Sequence, residues 1–402
     1  MLKRFGPGFF VAAAFVGPGT VTTASAAGAS HAYALLWAVV FSTLATVILQ
    51  EMSARLGLAT RLGLGEAFRA ACRDRAVRLT GSVLIMAAIG LGNAAFEMGN
   101  FLGTALALEL LTGLPRALCT IAAVVTALVI LVLGSYRLIE AALAGMVALM
   151  GIVFLLTAVL ARPAVGEVLV GALRPDVPAG ALMTVIALIG TTVVPYNLFL
   201  HASCVQQKWP ASLPVEQAIR RSRLDAVVAI VFGGAITASI VVTAATCLGG
   251  QRIESVTEMA RQLEPLLGKW GPHVFAVGLA AAGLSSAVTA PLAAAYATAG
   301  VLGWDRAERP RSVRAMSVVV LLIGALFALL EVRPVRAIIF AQAANGVILP
   351  IIAVFLLVIV NRRSLLGRHA NGAATNLLGG AVVLVTALLG GFQVLSSLGV
   401  LR

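Results

Sequence analysis

The sequence predicts an all-α polytopic membrane protein of about eleven transmembrane helices, and three observations carry that prediction. Of 402 residues, 60% are hydrophobic and only 11% charged, with a mean hydropathy of +1.02; a soluble chain carries roughly 25% charged residues. The apolar content runs the whole length in stretches of about 20 residues, enough to cross a bilayer core. Two of these stretches, FVGPGTVTT (15–23) and TTVVPYNLF (191–199), are interrupted by a proline.

Span 1 is expected near residues 8–28. It lacks a small-residue cleavage site, so it reads as a retained span and not as a signal peptide. Pro18 removes a backbone donor and clashes with the preceding turn, so the helix should break there. Span 2 follows near 32–54. The connection RLGLATRLGLGEAFRAACRDRAVR (55–78) is expected to hold a short amphipathic helix at the membrane surface. Span 3, near 79–110, contains Glu97, the one acidic residue placed clearly inside a span; Glu51 and Glu109 fall toward span ends. An ionisable residue at such depth is a functional candidate. Gly99 and Gly103 form a small-xxx-small pair suited to close helix packing.

Spans 4 and 5 lie near 116–134 and 139–160. Span 6, near 181–206, is broken at Pro195, with Asn197 two positions later, as Thr20 follows Pro18. Spans 7 to 10 lie near 224–248, 272–300, 313–330 and 335–360; span 10 carries Gln342 and Asn345. Span 11 lies near 373–399.

The interrupted spans are five apart. Five is odd, so spans 1–5 (1–160) and 6–10 (181–360) read as repeats of opposite orientation, with 373–402 added. This is a LeuT-type 5+5 inverted repeat within a single transmembrane domain covering 1–402. Unpaired backbone in hydrocarbon survives only when buried in protein or lining a watery cavity. Matching breaks in two halves therefore point to a substrate site.

The net charge of +13 raises nucleic acid as a partner, but its placement excludes it. From a cytoplasmic N-terminus, 20 of the 29 Lys and Arg fall on the inner side. These are Lys3 and Arg4, six from Arg55 to Arg78, Arg137, Lys208, Arg220, Arg221 and Arg223. Arg306, Arg309, Arg311, Arg314, Arg362, Arg363 and Arg368 complete the group. That is the positive-inside bias, and the lipid bilayer is the partner it implies. A prokaryotic inner membrane is the expected location, and a monomer the expected state. Cys72, Cys119, Cys204 and Cys247 show no CxxC spacing. His31, His201, His273 and His369 form no metal-ligand pair. No nucleophile–base pair or nucleotide-binding loop is present, so the chain is not expected to be an enzyme or to hold a cofactor. Any concentrating power should come from an ion gradient.

GPGFFVAAAFVGPGTVTTASAAGASHAYALLW and LQEMSARLGLAT resemble the first spans of the NRAMP family of proton-coupled divalent-metal transporters. IGTTVVPYNLFLHASCVQ (189–206) resembles the family's sixth span. LAAAGLSSAVTAPLAAAYATAG (279–300) resembles its eighth, and Phe340 to Gly367 its tenth. The resemblance implies a metal site at the two breaks, and there this chain departs from the pattern. The family's Asp-Pro-Gly-Asn is here Gly17-Pro18-Gly19-Thr20; its Met-Pro-His-Asn is Val194-Pro195-Tyr196-Asn197. An Asp and a Glu three apart, implicated in proton movement, correspond to Glu97 and Asn100. His201 matches the family.

A divalent cation must shed water, and carboxylates normally compensate that cost. Selectivity for Mn²⁺ or Fe²⁺ draws on softer ligands. This chain has neither at the breaks. What remains is Thr20, Thr22, Thr23, Thr191, Thr192, Tyr196, Asn197 and freed backbone. Half-helices starting after Pro18 and Pro195 point positive dipole ends at the cavity. Gly17 and Gly19 open space there. The candidate substrate-binding residues are thus Gly17, Gly19, Thr20, Thr191, Thr192, Val194, Tyr196, Asn197, Gln342 and Asn345. Unwound carbonyls near Thr191 and Thr192 are candidate ligands. Glu97, Asn100 and His201 are the proton or coupling candidates.

A small anion, bicarbonate or a small carboxylate, or a neutral polar solute is the favoured passenger. The alternative is a divalent-metal transporter with a degenerate site, carrying Mg²⁺, Mn²⁺ or Fe²⁺ with or without proton coupling. A non-transporting receptor or scaffold is the third.

Overall fold

The structure, a computed structural model, describes residues 6–72, 74–133, 137–304, 310–330 and 333–397. Lys3, Arg4, Arg73, Arg306 and Arg309 of the charge count, and the last residues of predicted span 11, lie outside them, as does the Arg137 side chain. Among the described residues every regular element is helical. Eight are long and apolar enough to cross a membrane: Leu36–Thr60, Arg75–Thr112, Leu182–Lys208 with its break, Val215–Leu248, Val256–Leu302 with its leading turns, Pro310–Leu330, Pro334–Val360 and Ala373–Ser396. The split pair Pro7–Phe15 and Pro18–His31 supplies span 1; the shorter apolar helices Arg116–Val132 and Gly145–Leu160 supply spans 4 and 5. The expected series of eleven is thereby complete.

Both breaks use the same device. Pro18 and Pro195 each open a new half-helix, where the missing N–H has no helical partner to lose. The residue before a proline is pushed toward extended backbone. Gly17 (φ −114°, ψ −174°) and Val194 (φ −79°, ψ 120°) both adopt it. The interruptions therefore fall at 16–17 and 193–194, just before each proline.

Small residues let other spans seat against the breaks. A Cβ on Gly103 would fall 2.2 Å from Pro18 Cβ, so span 3 lies directly against the first break. A Cβ on Gly190 would meet the Gln342 carbonyl oxygen at 2.1 Å and Gly346 N at 2.4 Å, so spans 6 and 10 touch backbone to backbone. The expected surface helix is Leu64–Ala71. It buries Leu64, Gly65, Ala67 and Phe68, and Gly63 N donates to Glu66 Oε2 at 2.9 Å.

The two faces of the bundle differ. On the face from which span 1 starts, Glu51 joins Arg55 (3.2 Å) and Arg223 (2.7 Å). Arg55 also donates to the His369 carbonyl and to Asn371 Oδ1 (2.6 Å), and Arg61 to the Trp209 carbonyl (2.7 Å). These bonds tie together spans 2, 6 and 7 and the connection before span 11. On the opposite face a vestibule of about 1210 Å³ opens between the ends of spans 1, 3, 6 and 10 and the connection after span 7.

Candidate functional site

The breaks meet in the middle of the bundle. Thr20 Oγ1 donates to the Phe15 carbonyl, which also accepts from Gly17 N (2.9 Å) across the first break, and lies 2.7 Å from Thr191 Oγ1. One hydroxyl has one proton, so Thr20 accepts from Thr191. A Cβ on Gly17 would lie 3.0 Å from Ser286 Oγ and 3.8 Å from Asn100 Oδ1. Gln342 lies against Gly19, where a Cβ would come 2.1 Å from Nε2, and against Gly99, where it would come 3.6 Å from the same atom. Asn100 Nδ2 donates to Glu97 Oε2 at 3.2 Å. The Tyr196 ring packs edge-on against Phe96, with centroids 5.4 Å apart.

These side chains are buried, yet several polar atoms have no hydrogen-bond partner. They are both side-chain atoms of Asn197, Tyr196 OH, Ser286 Oγ, Gln342 Oε1, Glu97 Oε1 and the hydroxyls of Thr22 and Thr23. Buried polar groups are nearly always bonded, so such a cluster marks a place that water or a ligand completes. The two half-helix starts add positive dipole ends, although Asn197 N–H is already bonded to the Val194 carbonyl (3.1 Å). Glu97 is the one carboxylate among these groups. Among the described residues no set of three or more His, Cys, Asp or Glu is grouped to hold a metal ion.

The site thus gathers Gly17, Gly19, Thr20, Thr191, Tyr196, Asn197 and Gln342, with Glu97 and Asn100 beside them. Four expected residues stand apart. The Thr192 hydroxyl is turned back to donate to the Leu188 carbonyl (3.1 Å), and its own carbonyl lies 3.3 Å from Thr46 Oγ1, which is closer to the Ser42 carbonyl (2.7 Å). Val194 supplies the extended turn before Pro195, with an apolar side chain. His201 lies one turn past Asn197, with Nδ1 2.9 Å from Gln50 Oε1. Asn345 faces Gly92, two turns before Gly99 on span 3. Ser286 was not anticipated; no local pattern distinguishes it from the neighbouring Ser285.

The site side chains are buried, and Thr20, Thr191, Asn197 and Gln342 do not line the vestibule. Ala26, on the vestibule wall, is six residues beyond Thr20, about 9 Å along a helix.

Comparison with known proteins identifies the family and the fold. The model of the family described as natural resistance-associated macrophage protein-like matches residues 8–396. A divalent metal cation transporter MntH from Xanthomonas campestris is 34% identical over 391 residues, 91% of this chain and 84% of that protein. A namesake from Brucella suis is 35% identical over 303 residues, 73% of this chain and 65% of its own length. In fold, the chain is similar to the Eremococcus coleocola manganese transporter (TM-score 0.80, 23% identity, 98% and 86% of the two chains covered). It is also similar to MhsT in complex with L-phenylalanine (TM-score 0.62, 16% identity, 97% and 98% covered).

Proposed function

The chain belongs to the natural resistance-associated macrophage protein-like family of membrane transporters, with a LeuT-type fold, and from that premise we propose that it carries a small anion through a charge-neutral midplane site. The observation behind this reading is the chemistry of the two breaks. Apart from Glu97 beside them, the groups that meet there are hydroxyls, amides, backbone dipoles and glycines, and Gly17 stands where the family has its carboxylate. Such groups donate and accept hydrogen bonds but do not neutralise a dehydrated 2+ ion. Two half-helix N-termini add positive potential. Bicarbonate or a small carboxylate has the size and the acceptors for such a site; a neutral polar solute uses the same bonds. Glu97, held by Asn100, is the residue on which a co-transported proton would ride.

A second reading is divalent-metal transport, favoured by the names of the relatives, two of which are 34% and 35% identical to this chain. Those names weigh more for metal than anything in the comparisons weighs for an anion. Mg²⁺ suits this reading best, because it keeps its waters and asks less of a neutral site.

Flux into proteoliposomes decides between the two. Purified protein is expected to take up radiolabelled bicarbonate with saturation and to leave external Mn²⁺ and Mg²⁺ outside. Saturable Mn²⁺ uptake with competition by Fe²⁺ overturns the anion reading.

A further inference from the structure

We propose that the vestibule is an anion-capture chamber, which draws small anions to the buried site and turns divalent cations away. It deepens the anion reading of the midplane site and rests on it for its purpose. Its own observation is independent: the charges on the vestibule wall.

Four guanidinium groups line the cavity against two carboxylates. Arg116 comes from the start of span 4, Arg252 from the connection after span 7, and Arg333 and Arg336 from the start of span 10. The carboxylates are Glu109 and Glu254. Glu254 lies 3.4 Å from Arg336, and both side chains are more than half exposed, so water screens the pair and it adds little rigidity. Among the described residues the wall therefore carries a net charge of +2. The rest of the lining is apolar or neutral, with Ala26 and Met183 toward the breaks.

A concave chamber of one sign between low-dielectric walls focuses its field, and raises the local concentration and entry rate of counter-ions by about 10- to 1,000-fold. The chamber holds about 1210 Å³, so an ion inside it lies within about 8–10 Å of these arginines, the Debye length at physiological salt. A guanidinium also presents a planar fork that fits a carboxylate or bicarbonate edge. A 2+ ion entering the same chamber meets repulsion at every wall that carries an arginine.

The test reads the field directly, without transport. A cysteine at Thr184, on the vestibule wall, is placed in the full chain with Cys72, Cys119, Cys204 and Cys247 replaced by alanine. It is reacted with a methanethiosulfonate bearing a sulfonate and, separately, with one bearing a trimethylammonium group. Each rate is normalised to the same reagent's rate with 2-mercaptoethanol. The anionic reagent is expected to be favoured by about tenfold at low salt, with the advantage shrinking at high salt. Arg252→Glu should abolish or invert the preference, and the milder Arg252→Gln should reduce it. A normalised ratio at or below one overturns the proposal, as does a ratio that Arg252→Glu leaves unchanged. A clear anionic preference in a protein that fails to carry bicarbonate supports the chamber and defeats only the substrate reading.

Discussion

Thr20 and Thr191 lie hydroxyl to hydroxyl at 2.7 Å, so the two interrupted spans meet at the centre of the bundle through a neutral hydrogen bond. Thr20 also donates to the Phe15 carbonyl at the first break, beside the Gly17 N–H. One side chain therefore serves both interruptions, and an ion that displaced it would have to satisfy both.

Thr20→Val should accordingly cost more than Thr191→Val. The first change removes two hydrogen bonds and leaves the Thr191 hydroxyl buried and unpaired, at about 1–3 kcal/mol in the worst case, while the Phe15 carbonyl keeps the Gly17 N–H (2.9 Å). The second leaves Thr20 still bonded to Phe15. Thermal unfolding in detergent should rank Thr20→Val below Thr191→Val, with Thr20→Ser near wild type. Equal losses for the two valine variants would show that the pair does not organise the breaks.

Two glycines should respond oppositely to alanine. At Gly19 the new Cβ meets the far end of Gln342, which can swing away. Gly19→Ala should fold normally and raise KM, since the displaced amide no longer faces the site. At Gly190 the Cβ meets backbone of span 10, which cannot move without parting the two spans. Overpacking of this kind costs about 1–3 kcal/mol or more. Melting curves and uptake kinetics on both variants test the contrast. A stable, active Gly190→Ala protein would contradict the packing described.

The breaks were legible in the sequence because proline acts locally and its effect needs no partner. The inverted architecture followed from counting apolar spans between them. Ser286 and Gln50 were not legible, because each acquires its role only when a distant span is laid beside it. Asp225 is another such case; it accepts from Gly8 N at 2.7 Å and so caps the first helix from span 7. Thr192 sits beside the break, but that its hydroxyl turns back to the Leu188 carbonyl is set by the helix and not by the sequence pattern. The vestibule arginines were counted as outer charges, but their convergence depends on three separate segments folding to one wall.

Glu51 ties spans 2 and 7 together on the face from which span 1 starts, bonded to Arg55 on its own helix and to Arg223 on span 7. Arg223 is 58% exposed in its side chain, so that link is weak and salt-sensitive. Glu51→Gln should leave the fold intact while easing the opening of this face. Labelling of Cys204, at the far end of span 6, should then speed up by several-fold. No change in labelling would remove Glu51 from the gate.

Glu97 offers a test of coupling. If a proton travels inward with the anion, uptake at a fixed bicarbonate concentration rises as the external solution is acidified. Glu97→Gln keeps the shape and the Asn100 contact but cannot exchange a proton. Its uptake should be slower and flat against external pH. A pH profile identical to wild type would assign coupling elsewhere.

Gly17→Asp is the sharpest probe of the charge-neutral site. It restores a carboxylate at the N-cap of the second half-helix, a position where negative charge is favoured by the dipole. The new Cβ would lie 3.0 Å from Ser286 Oγ, so Ser286 has to yield slightly, and Gly17→Asp with Ser286→Ala relieves that contact. The fixed negative charge should repel an incoming anion and lower bicarbonate uptake by tenfold or more, about 1.4 kcal/mol at the least. The same charge should give the double variant measurable Mn²⁺ binding by calorimetry, where the parent has none. Since Val194 still supplies no soft ligand, that binding should discriminate poorly against Mg²⁺. Bicarbonate uptake that survives both changes intact would move the passenger's site away from the first break.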